Sequence, residues 1–99
     1  SIFFCIAAAS PRVIDDTDII EIAGSLEHWQ LVAKLLGFTP LDISGIEDLR
    51  KSQGVRMLMI WKKKDGQEAT YEKLDSVLRK LKQNGAADHV CELRTRTCC

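Results

Sequence analysis

The sequence predicts an all-α protein that folds as one domain. The chain has 99 residues, a length typical of a single domain. Apolar residues recur at spacings of three and four along most of the chain, whereas sustained alternation of apolar and polar residues is confined to the first few positions. Leu, Lys, Glu and Ala dominate the later segments and favour helix. Together these observations predict several helices around a common core.

The chain is predicted to begin with an apolar extension at residues 1–14. This run is about half as long as a membrane-spanning helix, and it lacks the basic start of a signal peptide. The folded domain is expected over residues 15–94. Residues 95–99 are expected to be a disordered tail.

The first helix is predicted in two pieces, at residues 17–24 and 26–36, with a bend between them at Gly24. Asp18 and Glu21 have the spacing of a capping-box variant. Acids in the first turn also lie at the positive end of the helix dipole and should stabilise it.

A tight corner follows the first helix. Gly37 comes directly after the last apolar position and should adopt the left-handed conformation that ends a helix. Thr39 can cap the next helix, Pro40 then occupies its first position, and Asp42 lies at the capping-box position. This second helix is predicted over residues 40–48.

The rest of the chain predicts three further helices. Residues 49–54 are expected to be a loop or an irregular turn, and a helix is predicted over residues 55–64. Thr70 should cap the next helix, which has the clearest amphipathic pattern, and a short helix at residues 86–93 ends the domain. The expected core residues are Trp29, Val32, Leu36, Ile43, Ile46, Leu58, Trp61, Leu74 and Leu78.

Met59 lies nearly opposite Leu58 and Trp61 around the helix, so the period of 3.6 residues predicts that it is exposed. An exposed Met beside Ile60 would be a contact point for a partner. The alternative is that Met59 and Ile60 widen the buried face of their helix.

The charges are balanced overall but are divided unequally along the chain. The formal net charge is zero, which argues against a nucleic-acid-binding module, because such modules are usually basic. Residues 1–53 hold four Lys/Arg against eight Asp/Glu, and residues 54–99 hold ten against six. The chain is therefore −4 in its first part and +4 in its second.

The histidines and cysteines do not predict a catalytic or metal site, and no cofactor is expected. His89 and Cys91 are two residues apart on a helix and diverge by about 200° at 3.6 residues per turn, so Cys91 is interpreted as a small buried hydrophobe. A zinc site would also need the adjacent residues Cys98 and Cys99, whose geometry is poor. That pair could instead be acylated or oxidised between molecules. The cysteine spacing lacks a disulfide framework and predicts a reducing, cytoplasmic location.

The pattern as a whole resembles a death domain. WQLVAKLLGF (29–38) followed by DISGIE (42–47) is similar to the first two helices of that family. LMIW (58–61) and ATYEKLDSVL (69–78) are similar to its fourth and fifth helices. The resemblance covers about residues 17–93 and departs from the family at a short third helix. It implies a six-helix antiparallel Greek-key bundle. The alternatives for the fold are a CARD, death-effector or pyrin domain, but the spacing of Trp29 and Trp61 matches the death domain proper better.

The resemblance also implies a function. Death domains act by homotypic association in apoptotic or inflammatory signalling, without catalysis, so the expected partners are other death-domain proteins or a second copy. No nucleic acid or small-molecule substrate is expected, and a membrane is expected only through a parent receptor. The alternative is a monomeric regulatory domain that makes intramolecular or heterotypic contacts within a larger receptor or sensor.

One common contact in this superfamily joins a patch on the second and third helices to a patch on the first and fourth helices of the next molecule. A contact of this kind is heterologous and builds helical arrays. Acids on the second helix and cations on the fourth could steer such an encounter. The alternative is that these charges lie on solvated faces and helix ends. The predicted partner-binding residues are Asp42, Glu47, Asp48, Arg56, Met59, Lys62, Lys63 and Lys64.

Overall fold

The computed structural model describes residues 13–49 and 52–97, with side chains up to residue 95 in the last helix. These residues form α-helices and one 3₁₀ turn at Gly66–Glu68. No β-strand occurs in this part of the chain, where Val13 and Thr70 form an isolated antiparallel bridge. The helices are α1 (Asp16–Ala23), α2 (Trp29–Leu35), α3 (Pro40–Glu47), α4 (Gln53–Asp65), α5 (Tyr71–Lys80) and α6 (Asn84–Thr97). The prediction of an all-α fold is confirmed.

The first predicted helix is divided into α1 and α2. α1 ends before Gly24, and α2 begins only at Trp29. Between them His28 has a φ of +51°, in the left-handed region, so the chain changes direction there. The prediction that the helix resumes at Leu26 is wrong because the turn at His28 starts a new helix axis.

The corner between α2 and α3 has the caps that the sequence predicts. Gly37 follows α2 with a φ of +97°. The Thr39 hydroxyl accepts a hydrogen bond of 3.1 Å from the Asp42 N–H, and the Asp42 carboxylate accepts one of 3.1 Å from the Thr39 N–H. Pro40 occupies the first helical position, and Phe38 is buried under the corner. The capping box is therefore confirmed.

Gln53, the first residue of α4, joins α3 to α2. Its Nε2 donates to the backbone carbonyls of Glu47, at 3.2 Å, and Leu49, at 2.7 Å. Its Oε1 accepts a hydrogen bond of 3.1 Å from Trp29 Nε1. The carbonyls at the end of a helix have no partner within the helix. The Gln53 side chain supplies hydrogen-bond donors to carbonyls at the end of α3, and it also holds the Trp29 indole in place.

The segment between α3 and α4 differs from the expected third helix. Ser52 has a φ of +62°, and Gln53 and Gly54 already belong to α4, which starts two residues before the predicted residue 55. Residues 50 and 51 lie outside the described part of the chain. The described residues form six α-helices, because the segment predicted as the first helix is two separate helices, α1 and α2.

α1 packs antiparallel to α4. Lys62, near the end of α4, forms an ion pair of 2.8 Å with Asp16 at the start of α1. At the other end, a Cβ added to Gly54 would lie 3.5 Å from the Cβ of Ala23. Gly54 therefore allows a close approach of the two helices.

Asp18 is buried in α1 and does not form the predicted capping box with Glu21. Its Oδ2 accepts a hydrogen bond of 2.5 Å from the hydroxyl of Tyr71, which itself accepts one of 3.2 Å from the Asp15 N–H. α1 begins at Asp16 without a side-chain cap. The prediction is wrong because the Asp18 side chain turns inward to α5 instead of back along its own helix.

The last helix is longer than predicted. α6 continues past the predicted end at residue 93 and includes residues 95–97 of the segment predicted to be a disordered tail. The Arg94 side chain is buried, and its Nε pairs with the carboxylate of Glu72 on α5. This ion pair extends the contact between α5 and α6 beyond the apolar core.

The helices enclose one apolar core. Trp29 is only half-buried, since its indole N–H reaches the edge of the bundle at Gln53. Ile14 is fully buried, although the sequence places it in the N-terminal extension. The other predicted core residues are all buried: Val32, Leu36, Ile43, Ile46, Leu58, Trp61, Leu74 and Leu78.

Candidate protein-interaction surface

The three acids predicted to bind a partner lie exposed at α3. Asp42 is in the first turn of α3, Glu47 is its last residue, and Asp48 follows directly. The backbone hydrogen bond from Thr39 lowers the pKa of Asp42, and the Thr39 hydroxyl and the charge of Lys64 lower it further. Glu47 and Asp48 form no ion pair with any described residue. Their carboxylates are available to another molecule.

Two of the predicted partner-binding cations already have partners within the fold. Lys62 forms the ion pair with Asp16 on α1. Lys64 Nζ donates to the carbonyl of Gly37 at 3.3 Å and lies 5.3 Å from the centre of the Phe38 ring. These contacts link α4 to α1 and to the corner between α2 and α3. They depend on residues far apart in sequence, so the spacing of the lysines along the chain does not predict them.

Lys63, between these two lysines, is exposed on α4. No hydrogen bond or ion pair joins it to the described residues. Among the three consecutive lysines it therefore presents its charge most fully to solvent.

Arg56 lies on the α3 side of α4, and not with the lysines near the end of that helix. It lines a cleft of about 350 Å³ between α3 and α4, which we call the α3–α4 cleft. No described carboxylate forms an ion pair with Arg56. Arg56 and Lys62–Lys64 are predicted from sequence as cations on the same helix, and the structure gives Arg56, Lys62 and Lys64 different surroundings. The α3–α4 cleft is lined by Leu41, Asp42, Gly45, Ile46, Leu49, Arg56 and Ile60.

Met59 is half-buried, so the prediction that it is exposed is wrong. It packs against the core together with Val55 and Ile60, because α4 has neighbours on more than one side. Its accessible part lines a second hollow, which shares Leu49 and Arg56 with the α3–α4 cleft. Met59 therefore widens the buried face of α4 and also contributes to an open apolar surface.

Leu41 is the feature of this surface that the sequence interpretation missed. Its side chain is 82% exposed, the most of the large apolar side chains in the described residues. The register of α3 could have revealed it. Ile43 and Ile46 face inward, and a residue two positions before Ile43 points about 200° away from it at 3.6 residues per turn. Leu41 and the exposed Leu49 both line the α3–α4 cleft and extend its apolar surface, and contiguous apolar surface of this kind marks protein-binding sites.

His89 and Cys91 are the side chains that the sequence analysis considers for a catalytic or metal site. His89 Nδ1 lies 2.9 Å from the hydroxyl of Ser25, which joins α6 to the α1–α2 link at the surface. Cys91 is half-buried and disulfide-bonded, so its interpretation as a simple buried hydrophobe is wrong. Across the residues that the structure describes, no group of His, Cys, Asp and Glu could hold a metal ion. No helix in this part of the chain combines the length and apolar character needed to cross a bilayer.

The comparison with known families decides what kind of module this is. The family model of the death domain matches residues 17–92, which include all but the first residue of α1, the whole of α2 to α5 and most of α6. The chain belongs to the death-domain family. No curated protein and no solved structure gives a significant match.

Membership of the family defines the general role of the surface. Death domains are protein-interaction modules of the death-fold superfamily, and the family is not catalytic. A death domain acts through its outer faces, so the exposed charges of α3, the α3–α4 cleft and Leu41 are the residues to consider first.

Proposed function

We propose that this death domain is a non-enzymatic signalling module that binds other death-fold domains in apoptotic or inflammatory signalling. The observation that supports the proposal is the outer face of α3 and α4, where Leu41 protrudes beside an open cleft. A side chain exposed to this extent adds little to the stability of its own domain, and its burial against a partner would be favourable.

Charge gives this face its specificity. Glu47 and Asp48 carry acids at the end of α3, and Lys63 carries an exposed cation on α4. Opposite charges on two faces steer the encounter of two proteins and fix their register more than they raise affinity. In this proposal Glu47 and Asp48 meet a basic face of the partner, and Lys63 meets an acidic one. Lys62 and Lys64 contribute mainly to the fold through their internal contacts.

A binding screen tests this proposal. The purified domain would be measured by biolayer interferometry against purified death, death-effector, CARD and pyrin domains. We expect reversible binding to at least one death-fold domain, with an association rate that falls as salt increases. Failure to bind any domain of the panel would refute the recognition of other death-fold domains.

Charge-reversal variants test the proposed face. Glu47→Lys combined with Asp48→Lys should slow association by about tenfold or more, within the range that steering provides. Glu68→Lys is the control for reversal of an acid, since Glu68 is exposed on the 3₁₀ turn and does not line the α3–α4 cleft. Equal effects of Glu68→Lys and the α3 variant would show that only net charge matters.

We also propose that the domain works in the cytoplasm, where thiols are kept reduced. The disulfide at Cys91 would then be open in the working protein. Rapid alkylation of thiols in intact cells, followed by mass spectrometry of the peptide that contains Cys91, tests this. Recovery of Cys91 mainly as a disulfide would contradict a cytoplasmic location.

A further inference from the structure

The α3–α4 cleft carries opposite charges on its two walls. Asp42 lines the wall formed by α3, and Arg56 lines the wall formed by α4. The two side chains do not form an ion pair with each other. Apolar residues lie around them, with Leu49 at one end of α3 and Ile60 on α4. Each charged side chain therefore lines the open cleft next to apolar side chains.

Both charges are available to another molecule. Asp42 accepts one hydrogen bond from the Thr39 N–H, and a carboxylate has about four lone-pair sites, so the group can accept further bonds. The same hydrogen bond lowers the pKa of Asp42, so the carboxylate is ionised at neutral pH. Arg56 presents the forked guanidinium donors that match a carboxylate. A surface that offers both groups can recognise another surface with the opposite arrangement.

A second copy of the same cleft has that opposite arrangement. In a contact with two-fold symmetry, residue i of one copy meets residue j of the other, and j meets i. Arg56 of each copy would then face Asp42 of the other, which forms two equivalent ion pairs. The formal net charge of the chain is zero, so two copies do not repel each other at long range.

We propose that the α3–α4 cleft is a two-fold self-association surface, in which two copies exchange Asp42–Arg56 ion pairs and bury their Leu41 side chains. The inference rests on the proposed function, since it names a second copy as a partner of the face formed by α3 and α4. It differs from a head-to-tail contact because a two-fold contact closes on itself and stops at a dimer. Leu41, 82% exposed at the rim of the cleft, is the apolar anchor of each half.

Charge reversal with complementation is the decisive experiment. Sedimentation equilibrium of the wild-type domain, over concentrations that reach the millimolar range, should show a monomer–dimer equilibrium without larger species. Arg56→Glu and Asp42→Lys should each weaken the dimer by roughly a hundredfold, because two like-charge contacts form in every homodimer. An equimolar mixture of these two variants should form a 1:1 heterodimer, in which both contacts are again complementary. The combined variant Asp42→Lys/Arg56→Glu should dimerise by itself.

Matched variants separate specific effects from general ones. Glu68→Lys and Lys80→Glu each reverse an exposed charge outside α3, α4 and the cleft, and should leave the dimer unchanged. Thr39→Ala removes the capping hydroxyl and keeps the Asp42 charge, so it reports the effect of losing the cap. Leu41→Ser should weaken the dimer at an unchanged melting temperature. This last variant tests the interface even if Asp42→Lys prevents folding.

Several outcomes would overturn the inference. A wild-type monomer at every concentration would do so, as would growth beyond a dimer or failure of the mixed variants to associate. Failure here is distinguishable from failure of the proposed function. A monomer that still binds a death-fold domain of the panel contradicts only the two-fold contact. A dimer that binds none of them contradicts only the recognition of other death-fold proteins.

Discussion

The hydroxyl of Tyr71, at the start of α5, donates a hydrogen bond of 2.5 Å to Asp18 Oδ2 on α1. Both side chains are buried, and they are 53 residues apart in sequence. The same hydroxyl accepts a hydrogen bond from the Asp15 N–H. This bond closes the bundle between its first and fifth helices, and it explains why Asp18 is inside the domain.

The first prediction concerns the ionisation of Tyr71. Burial raises the pKa of Tyr71, and the hydrogen bond to Asp18 raises it further. A tyrosine whose pKa is higher in the folded state contributes stability below its unfolded pKa of about 10 and loses that contribution as pH rises through the folded pKa. Tyr71 is the only tyrosine in the chain, so tyrosinate absorbance reports this group alone. We expect its titration to coincide with alkaline unfolding, and a titration near pH 10 in a folded protein would contradict this.

The second prediction is that Tyr71→Phe destabilises the domain by about 1.5–3 kcal/mol, the range for hydrogen bonds to charged groups. The variant keeps the ring and leaves the buried Asp18 carboxylate without its donor. Urea unfolding followed by circular dichroism measures the change. The double variant Tyr71→Phe/Asp18→Asn serves as the control, since it removes the charge as well. The double variant should recover part of the lost stability. Equal destabilisation of the two variants would show that the unpaired Asp18 charge does not cause the loss.

Local features of this fold could be predicted from sequence where no distant contact competes with them, whereas contacts between distant residues could not. The capping box of Thr39 and Asp42 depends on neighbours three residues apart, and it forms as expected. Gln53 bridges α3 and Trp29 through contacts up to 24 residues apart in sequence, which no short-range pattern encodes. The same limit applies to the surface. The helical period alone predicts that Lys62 is exposed. In the structure α1 packs against α4, so Lys62 forms an ion pair with Asp16.

The third prediction compares two glycines in similar surroundings. Gly37 and Gly45 have no atom near the position of an added Cβ, but Gly37 has a φ of +97° and Gly45 lies within α3. Gly37→Ala should destabilise the domain by about 1 kcal/mol or more, because a side chain is strained at positive φ. Gly45→Ala should stabilise it by roughly 0.5–1 kcal/mol through higher helix propensity. Thermal unfolding of both variants gives the sign of each change in stability. A shift of both melting temperatures in the same direction would contradict the prediction.

The fourth prediction concerns Asp75, which is buried on α5 at 3.4 Å from Arg79 Nε. Desolvation raises the pKa of Asp75, and the charge of Arg79 opposes this shift only in part. The folded state therefore favours the protonated acid, so the contribution of Asp75 to stability is greatest below its unfolded pKa of about 3.9 and decreases as pH rises through the folded value. Asp75→Asn should be as stable as the wild type at pH 7 or more stable, and Arg79 keeps its ion pair with Asp88. A large loss of stability at pH 7 would show that the Asp75 charge is needed.

The fifth prediction concerns Trp61, which is completely buried and donates from Nε1 to Asp65 Oδ2 at 2.9 Å. Trp61→Ala should cost roughly 3–5 kcal/mol, the range for removal of a large aromatic side chain from a core. Such a loss is a large part of the stability of a small domain. Trp61→Phe is the control, since it keeps most of the apolar volume and leaves Asp65 paired with Lys73. An unchanged melting temperature for Trp61→Ala would refute the packing of α4.

The last prediction tests whether α6 is held to α5 by charge as well as by apolar contact. The Arg94 side chain is buried and pairs with Glu72, which is also largely buried. Removing one partner of a buried ion pair leaves the other charge uncompensated and costs about 3–5 kcal/mol, so Arg94→Ala should destabilise the domain by this amount. Arg56→Ala removes an exposed cation and should change stability by no more than about 0.5 kcal/mol. Hydrogen exchange should show faster opening of α6 in Arg94→Ala alone. Equal stability of the two variants would mean that the apolar contacts hold α6 without the ion pair.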